Sequence, residues 1–390
     1  MKNFKSEISN LKLHGAFVRP ALLSAILLLT AHCSLLTAQA AWSKQKTGTF
    51  AWLHSVFFVD ARRGWAVGGK GALLSTEDGG VTWETRRRPT EDALQDIFFT
   101  DELTGWIVCE RSMFMPMRKD ESVSYLLKTT DGGASWSRVE VTHGPDVDLK
   151  LARVSFAGRE RGWVFGEMGA LFATTDGGSS WERQRVPTRH LLLGATFLDA
   201  QRGWLVGAGS TLLQTSDGGS TWRAGSIEVA SAPSPSDVSA QSNATSTSAR
   251  TPVSLARIGA ASDGARVTEP STMQVTGPST VRLNAVSFAD ARRGWAVGAG
   301  GAVLATLDGG RTWRAQDSGT RSDLFDVKFF DEREGWAVGG EGAAIHTTDG
   351  GATWRVEPTG TPHTLERLFF LGRASGWAVG FGGTVVAFKG

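Results

Sequence analysis

Six aspartates share one setting. Asp78, Asp131, Asp176, Asp217, Asp308 and Asp349 each open the pattern Asp-Gly-Gly-x-x-Trp, and each follows a threonine by two residues. Carboxylates repeated in this way raise two chemical possibilities, calcium ligation and acid–base catalysis. The neighbours favour a third role. Paired glycines accept the positive φ of a tight hairpin, and an aspartate at its head caps the turn by accepting backbone N–H bonds. The six aspartates are therefore read as structural. Seven arginines form a second set: Arg62, Arg63, Arg161, Arg202, Arg292, Arg293 and Arg333 lie just ahead of repeated Gly-Trp pairs. Guanidinium forks suit carboxylates, so these could make a basic patch for an acidic peptide. Asp60, Asp199, Asp290 and Glu332 stand close enough in sequence to neutralise them. A third set, Met113, Phe114, Met115 and Met117 beside Arg118 and Lys119, joins pliable apolar groups to cations, as an adaptable protein-binding loop does. The histidines are scattered and give no metal-ligand spacing, so neither metal nor cofactor is expected.

The elements that position these groups follow from periodicity. Gly-Trp occurs seven times, at Gly64, Gly105, Gly162, Gly203, Gly294, Gly335 and Gly376, and four of the six spacings are 41 residues. A period near 40 residues marks propeller blades of four strands. The fifth repeat shows the template. An alternating strand runs from Leu283 to Asp290, a turn leads to Trp295–Gly298, and a third strand spans Ala302 to Thr306. The Asp308 hairpin then starts a fourth strand at Trp313. Trp42 aligns with Trp313, Gly48 with Gly319 and Phe58 with Phe329, so the chain near residue 41 reads as a fourth strand lacking the other three. The seventh repeat stops at Gly390 without its own fourth strand. The expected fold is all-β: a seven-bladed β-propeller of four-stranded blades over 41–390, its last blade closed by the N-terminal strand. Closure removes the bare sheet edge.

In such a blade the Gly-Trp turns and the aspartate hairpins share one face of the ring. The remaining turns and the crossings between blades share the other. All insertions map to the second face: within Glu110 to Ser124, near Gly144-Pro145-Asp146, and over residues 230–279. The last stretch is rich in Ser, Ala, Thr and Pro, has no aromatic residue, and is expected to be disordered. Asp96 and Arg153 occupy matching positions in adjacent blades, as do Asp326 and Arg367, which predicts ion pairs across blades near the channel.

Residues 1–40 carry Lys2, Lys5, Lys12 and Arg19, then an apolar run to Leu36, then Ala38-Gln39-Ala40. That order predicts a signal peptide and export to the periplasm or extracellular space. Without its four cations and one anion, the rest of the +2 chain has a net charge of −1. A body so close to neutral argues against nucleic-acid binding. After cleavage only Cys109 remains of the two cysteines, so no internal disulfide forms.

Thr-x-Asp-Gly-Gly-x-Thr/Ser-Trp resembles the Asp-box repeat of sialidases and related propellers. Together with the preceding Phe-x-Asp-x-x-x-Gly-Trp unit and the seven-fold count, the chain resembles the photosystem II assembly and stability factor family over about residues 41–390. That resemblance implies an exported seven-bladed propeller without enzymatic chemistry. It further implies help in assembling a membrane complex on the lumenal side of a photosynthetic membrane, with binding through an arginine-rich patch. The expected partner is a protein, including a membrane-protein segment or assembly intermediate, and the chain is expected to be a monomer. The alternative is an Asp-box glycoside hydrolase. Sialidases use a tyrosine nucleophile with a glutamate partner, and Tyr125 is the only tyrosine here.

Overall fold

The computed structural model describes residues 41–112, 121–228 and 280–390. Trp42–Lys389 form one compact unit. Each repeat folds into antiparallel strands laid side by side in sequence order. In the first blade these are Leu53–Phe58, Gly64–Gly68, Leu73–Thr76 and Glu84–Thr85. The seven first strands, starting at Leu53, Ala93, Leu151, Leu192, Leu283, Leu324 and Leu365, touch their neighbours in order, and the seventh touches the first. The molecule is the expected seven-bladed ring.

Its last sheet joins both ends of the fold. Ala41–Gln45 is the outer strand beside Thr384–Lys389, Ser375–Gly380 and Leu365–Phe370. Ser43 Oγ donates to the Ala387 carbonyl at 3.3 Å.

The repeated aromatics form one clamp, built seven times. Each first strand carries a phenylalanine at its end, or in the third blade one residue before it at Phe156, and the Gly-Trp indole of the preceding blade packs against its ring. Centroids are 3.6 Å apart for Trp377 on Phe58, Trp163 on Phe197 and Trp204 on Phe288, and 3.5 Å for Trp295 on Phe329. The hairpin tryptophan of the same blade meets the phenylalanine edge-on, as Trp83 does to Phe58 at 5.9 Å. Trp42 does the same to Phe370 at 6.1 Å, which places it as the hairpin tryptophan of the last blade. The glycine ahead of each Gly-Trp indole has its own reason: a β-carbon at Gly64 would lie 2.5 Å from the Phe58 ring. Burying each such aromatic stabilises the fold by roughly 2–3 kcal/mol.

Two departures from strict repetition stand out. Trp204, Trp295 and Trp377 donate their Nε1–H to the first glycine carbonyl of the next hairpin, at Gly309, Gly350 and Gly79. Trp106, Trp163 and Trp336 make no such bond among the described residues. Trp336 differs again. It stacks on His346 at 4.1 Å, and its Nε1 finds no acceptor among the described residues. In the fifth blade a fifth strand, Ser226–Glu228, lies parallel to the outer strand Thr312–Gln316. The four-strand template did not foresee it. Chain leaving the fourth blade pairs here with the edge of the fifth, and Arg314 Nε donates to Glu228 Oε2 at 2.6 Å.

Candidate functional site

The hairpin aspartates are bound within their own turns. Thr76 Oγ1 donates to Asp78 Oδ1 at 2.8 Å and accepts from Gly80 N at 2.9 Å. Thr82 donates its N–H to Asp78 Oδ1 at 2.9 Å and its hydroxyl to Oδ2 at 2.6 Å. The same bonds recur at Asp131, Asp176, Asp217, Asp308 and Asp349. The hydroxyl of Thr82, Ser135 or Thr353 holds the carboxyl of Asp78, Asp131 or Asp349 down to about 2. Among the described residues no cluster of three His, Cys, Asp or Glu side chains is placed to hold a metal.

The same face carries the arginines. Arg63 bonds Asp60 at 2.7 Å and reaches Glu102 of the next blade at 2.7 Å. Arg202 bonds Asp199 at 2.6 Å. Arg293 bonds Asp290 at 2.9 Å and Glu332 of the next blade at 2.5 Å. Arg161 donates to the Gly218 carbonyl at 2.6 Å, and Arg62 Nε to the Glu77 carbonyl at 3.1 Å. Arg292 and Arg333 are exposed, and their side chains have no partner among the described residues. Among the described residues three of the seven rim arginines, Arg63, Arg202 and Arg293, are thus paired with carboxylates. Three others, Arg62, Arg292 and Arg333, are exposed to solvent and have no carboxylate partner among the described residues. Met113, Phe114, Met115 and Met117 lie outside the described residues, as do 1–40 and 230–279. Arg111 and Glu121 pair at the base of the Met113 loop.

Tyr125 is buried. Its hydroxyl donates to Asp92 Oδ2 at 2.7 Å and lies 3.0 Å from Thr90 Oγ1, and burial raises its pKa far above the usual phenol range. Cys109, packed in the same cluster, is also buried, which raises its thiol pKa.

The opposite face opens on a cavity of about 420 Å³ at the mouth of the central channel. A β-bulge makes it. In all seven first strands the register slips just after the leading leucine, as between Leu53 and Ser55. The residue at the slip lines the mouth: His54, Gln95, Ala152, Leu193, Asn284, Phe325 and Glu366. Sequence reasoning missed these seven. The signal was available, because this position varies freely between repeats whose flanking Leu and Phe do not change.

One residue further along lies a polar belt. Ser55 Oγ donates to Asp96 Oδ1 at 2.8 Å, Val154 N donates to Asp96 Oδ2 at 3.0 Å, and Arg367 bonds Asp96 from the other side. The expected Asp96–Arg153 pair does not form. Arg367 reaches past the intervening blade and takes Asp96 instead, while Arg153 opens onto the mouth without an ion-pair partner among the described residues. The expected Arg367–Asp326 pair is present at 4.0 Å. Burial pushes the Asp326 carboxyl up to about 7, against bonds from Leu368 N and Val327 N.

At the mouth, His54 Nδ1 lies 2.8 Å from Glu366 Oε2 across the closing seam. Lys150 bonds Glu110 at 2.7 Å. Trp52 is 43% exposed and meets Phe381, 49% exposed, edge-on at 5.3 Å.

Ring, hairpins and faces together define a seven-bladed Asp-box propeller. The profile described as "Photosynthesis system II assembly factor YCF48" matches residues 35–121, 87–190, 181–243 and 316–389. These segments cover well over half of the chain, which belongs to that family. No curated protein matches it by sequence. Among solved structures it is similar to "YCF48 bound to D1 peptide" at TM-score 0.62 and 21% identity, over 90% of this chain and 95% of that one. YCF48 from Cyanidioschyzon merolae matches at 0.61 and 22%, over 90% and 99%. The GH74 xyloglucanase from Xanthomonas campestris matches at 0.58 and 12%, over 88% of this chain and 53% of that one. At these identities the structural likeness shows the shared ring.

Proposed function

We propose that this chain is an exported, non-catalytic propeller that holds a segment of a membrane protein while its complex is assembled, photosystem II being the complex its family's description names. The observation that carries this reading is the family match, which runs through most of the repeats. The solved relative that bears a D1 peptide supports a peptide from a membrane protein as the ligand. The order of residues 1–40 supports removal of a leader and action outside the cytoplasm. The burial of Tyr125 beneath Arg138, whose guanidinium lies 3.7 Å from the ring centroid, speaks against a sialidase-type nucleophile.

Affinity capture from the native cell envelope tests the reading. The wild-type chain should retain one membrane protein, or an assembly intermediate containing it, and N-terminal sequencing should begin near Ala41. Changing the exposed rim cations together, Arg62→Glu, Arg292→Glu and Arg333→Glu, reports whether that face takes part. Capture of no membrane protein would overturn the scaffold role. So would turnover of a fluorogenic glycoside that a single face-carboxylate substitution abolishes.

A further inference from the structure

We infer that the channel mouth opposite the hairpins is the docking site for an acidic peptide segment that also carries an aromatic or long aliphatic side chain. The inference rests on the protein-binding reading above and gives it a location.

Charge is the first ground. Four basic groups line the mouth, and two are satisfied: Lys150 by Glu110 and His54 by Glu366. Arg153 and Arg282 have no ion-pair partner among the described residues. Glu110 first, and Glu167 after it, raise the Lys150 pKa, so Glu167, the one mouth carboxylate without an ion pair among the described residues, lies on the Lys150 side. Two guanidinium forks are therefore open to a carboxylate from outside. Such charges steer an acidic partner towards a concave site.

The floor is the second ground. Asn284 is 4% exposed, and its Nδ2 donates to the Leu324 carbonyl at 2.8 Å. That bond fixes the amide, and its Oδ1 is left with no donor among the described residues. A buried acceptor without a donor is costly, and an N–H brought to the floor relieves the cost. A peptide supplies N–H groups at every residue. Leu193 and Phe325 stand in the blades on either side and give this part of the mouth apolar walls.

The third ground is the surface outside the cavity. Trp52 runs from the mouth to Phe381, and Phe50, two residues before it, is 94% exposed. A ligand confined to the cavity has no use for this shelf. A polypeptide crossing the mouth lays a side chain on it, and exposed aromatics beside a polar pocket are how protein interfaces are anchored.

The test is panning of a phage-displayed random dodecapeptide library on the purified full chain. Selected peptides should contain Asp or Glu together with an aromatic or long aliphatic residue. Their affinity should fall at least about tenfold with Arg282→Glu and with Trp52→Ala, and less with Arg282→Gln. The hairpin-face triple variant should bind them as the wild type does. Arg282 and Trp52 are exposed, and an unchanged melting temperature in each variant confirms the fold. Selections indifferent to Arg282 and Trp52, binders without acidic residues, no enrichment, or exclusive binding of acidic glycans would each overturn the site. The broader reading fails separately. If the wild type and Arg282→Glu capture the same membrane protein while the hairpin-face variant loses it, only the location is wrong. If the wild type captures none, the scaffold role falls.

Discussion

On the hairpin face Arg63, Arg202 and Arg293 lie 2.7, 2.6 and 2.5 Å from carboxylates, and two of these contacts bridge neighbouring blades. At the channel mouth Arg153 and Arg282 have no ion-pair partner among the described residues, as Arg62, Arg292 and Arg333 have none on the hairpin face, but the mouth pair lines a concave cavity and not an open rim. The acids differ in the same sense. Hydrogen bonds hold the hairpin aspartates low, whereas burial holds Asp326 in the channel high. Both regions are made from the same seven repeats, so the contrast does not come from the scaffold. It comes from where the repeats agree and where they diverge. Hairpin residues recur because each blade must be capped and stapled to the next. Bulge residues vary because they line the channel mouth and take no part in the aromatic clamp between blades, and variable positions on a fixed frame are where a partner is recognised.

The largest test removes what both faces share. Phe58→Ala empties one clamp between Trp377 and Trp83 and should cost about 3–5 kcal/mol in urea unfolding, with binding at either face weakened as the ring loosens. A loss confined to one face would mean the faces are independent.

The next separates the acids by sign. Asp78, Asp131 and Asp349 titrate lower in the fold than the ordinary aspartate value near 3.9, so their contribution is complete above about pH 4 and is lost as pH falls through about 2. Asp326 titrates higher in the fold, at about 7. Its ionisation therefore opposes folding: stability is full below about pH 4 and declines as pH rises through 7. Its charged neighbours are Asp96, Arg367 and Lys328. Urea unfolding from pH 3 to 8 should show the decline in wild type and a flatter profile in Asp326→Asn. An identical slope in the two proteins would remove the channel half of the contrast.

A smaller effect is expected from Thr76→Val, which strips a hairpin of the hydroxyl serving both Asp78 and Gly80. It should cost about 1–3 kcal/mol by the same assay. The smallest effects come from the arginines. Arg63→Ala should lower the urea midpoint only slightly, and less in high salt, because an exposed pair is screened. Arg282→Ala should leave stability unchanged. If Arg282→Ala proved the more destabilising, the mouth arginine would have a hidden structural partner.

The ring could be read from the chain because its determinants are local and repeated. Gly-Trp, the strand-ending phenylalanine and the hairpin motif each do one packing job seven or six times, and Trp42 in register with Trp313 revealed the closure. The site was harder. Arg62 and its companions were visible as residue types, but pairing across blades depends on distances that sequence does not hold. Arg153 shows the limit clearly. Its position matched Asp96 in the neighbouring blade, yet Arg367, with a long side chain two blades away, took that carboxylate first. The Ser226–Glu228 strand escaped notice because Ser-Ile-Glu, three residues after a completed blade, is too short a run to mark a strand.

The closing sheet has a consequence for how this molecule comes into being. Ser43 and Ala387 bond across 344 positions of chain. A ribosome delivers the first partner long before the second exists. In that interval the indole of Trp42 is a sticky patch with nowhere to go, and another half-made copy is the nearest substitute, so crowded synthesis invites swapped dimers. Once the joint is shut the position reverses. The inner Thr384–Lys389 strand is held between two neighbours, so it cannot leave until the outer Ala41–Gln45 strand has peeled away.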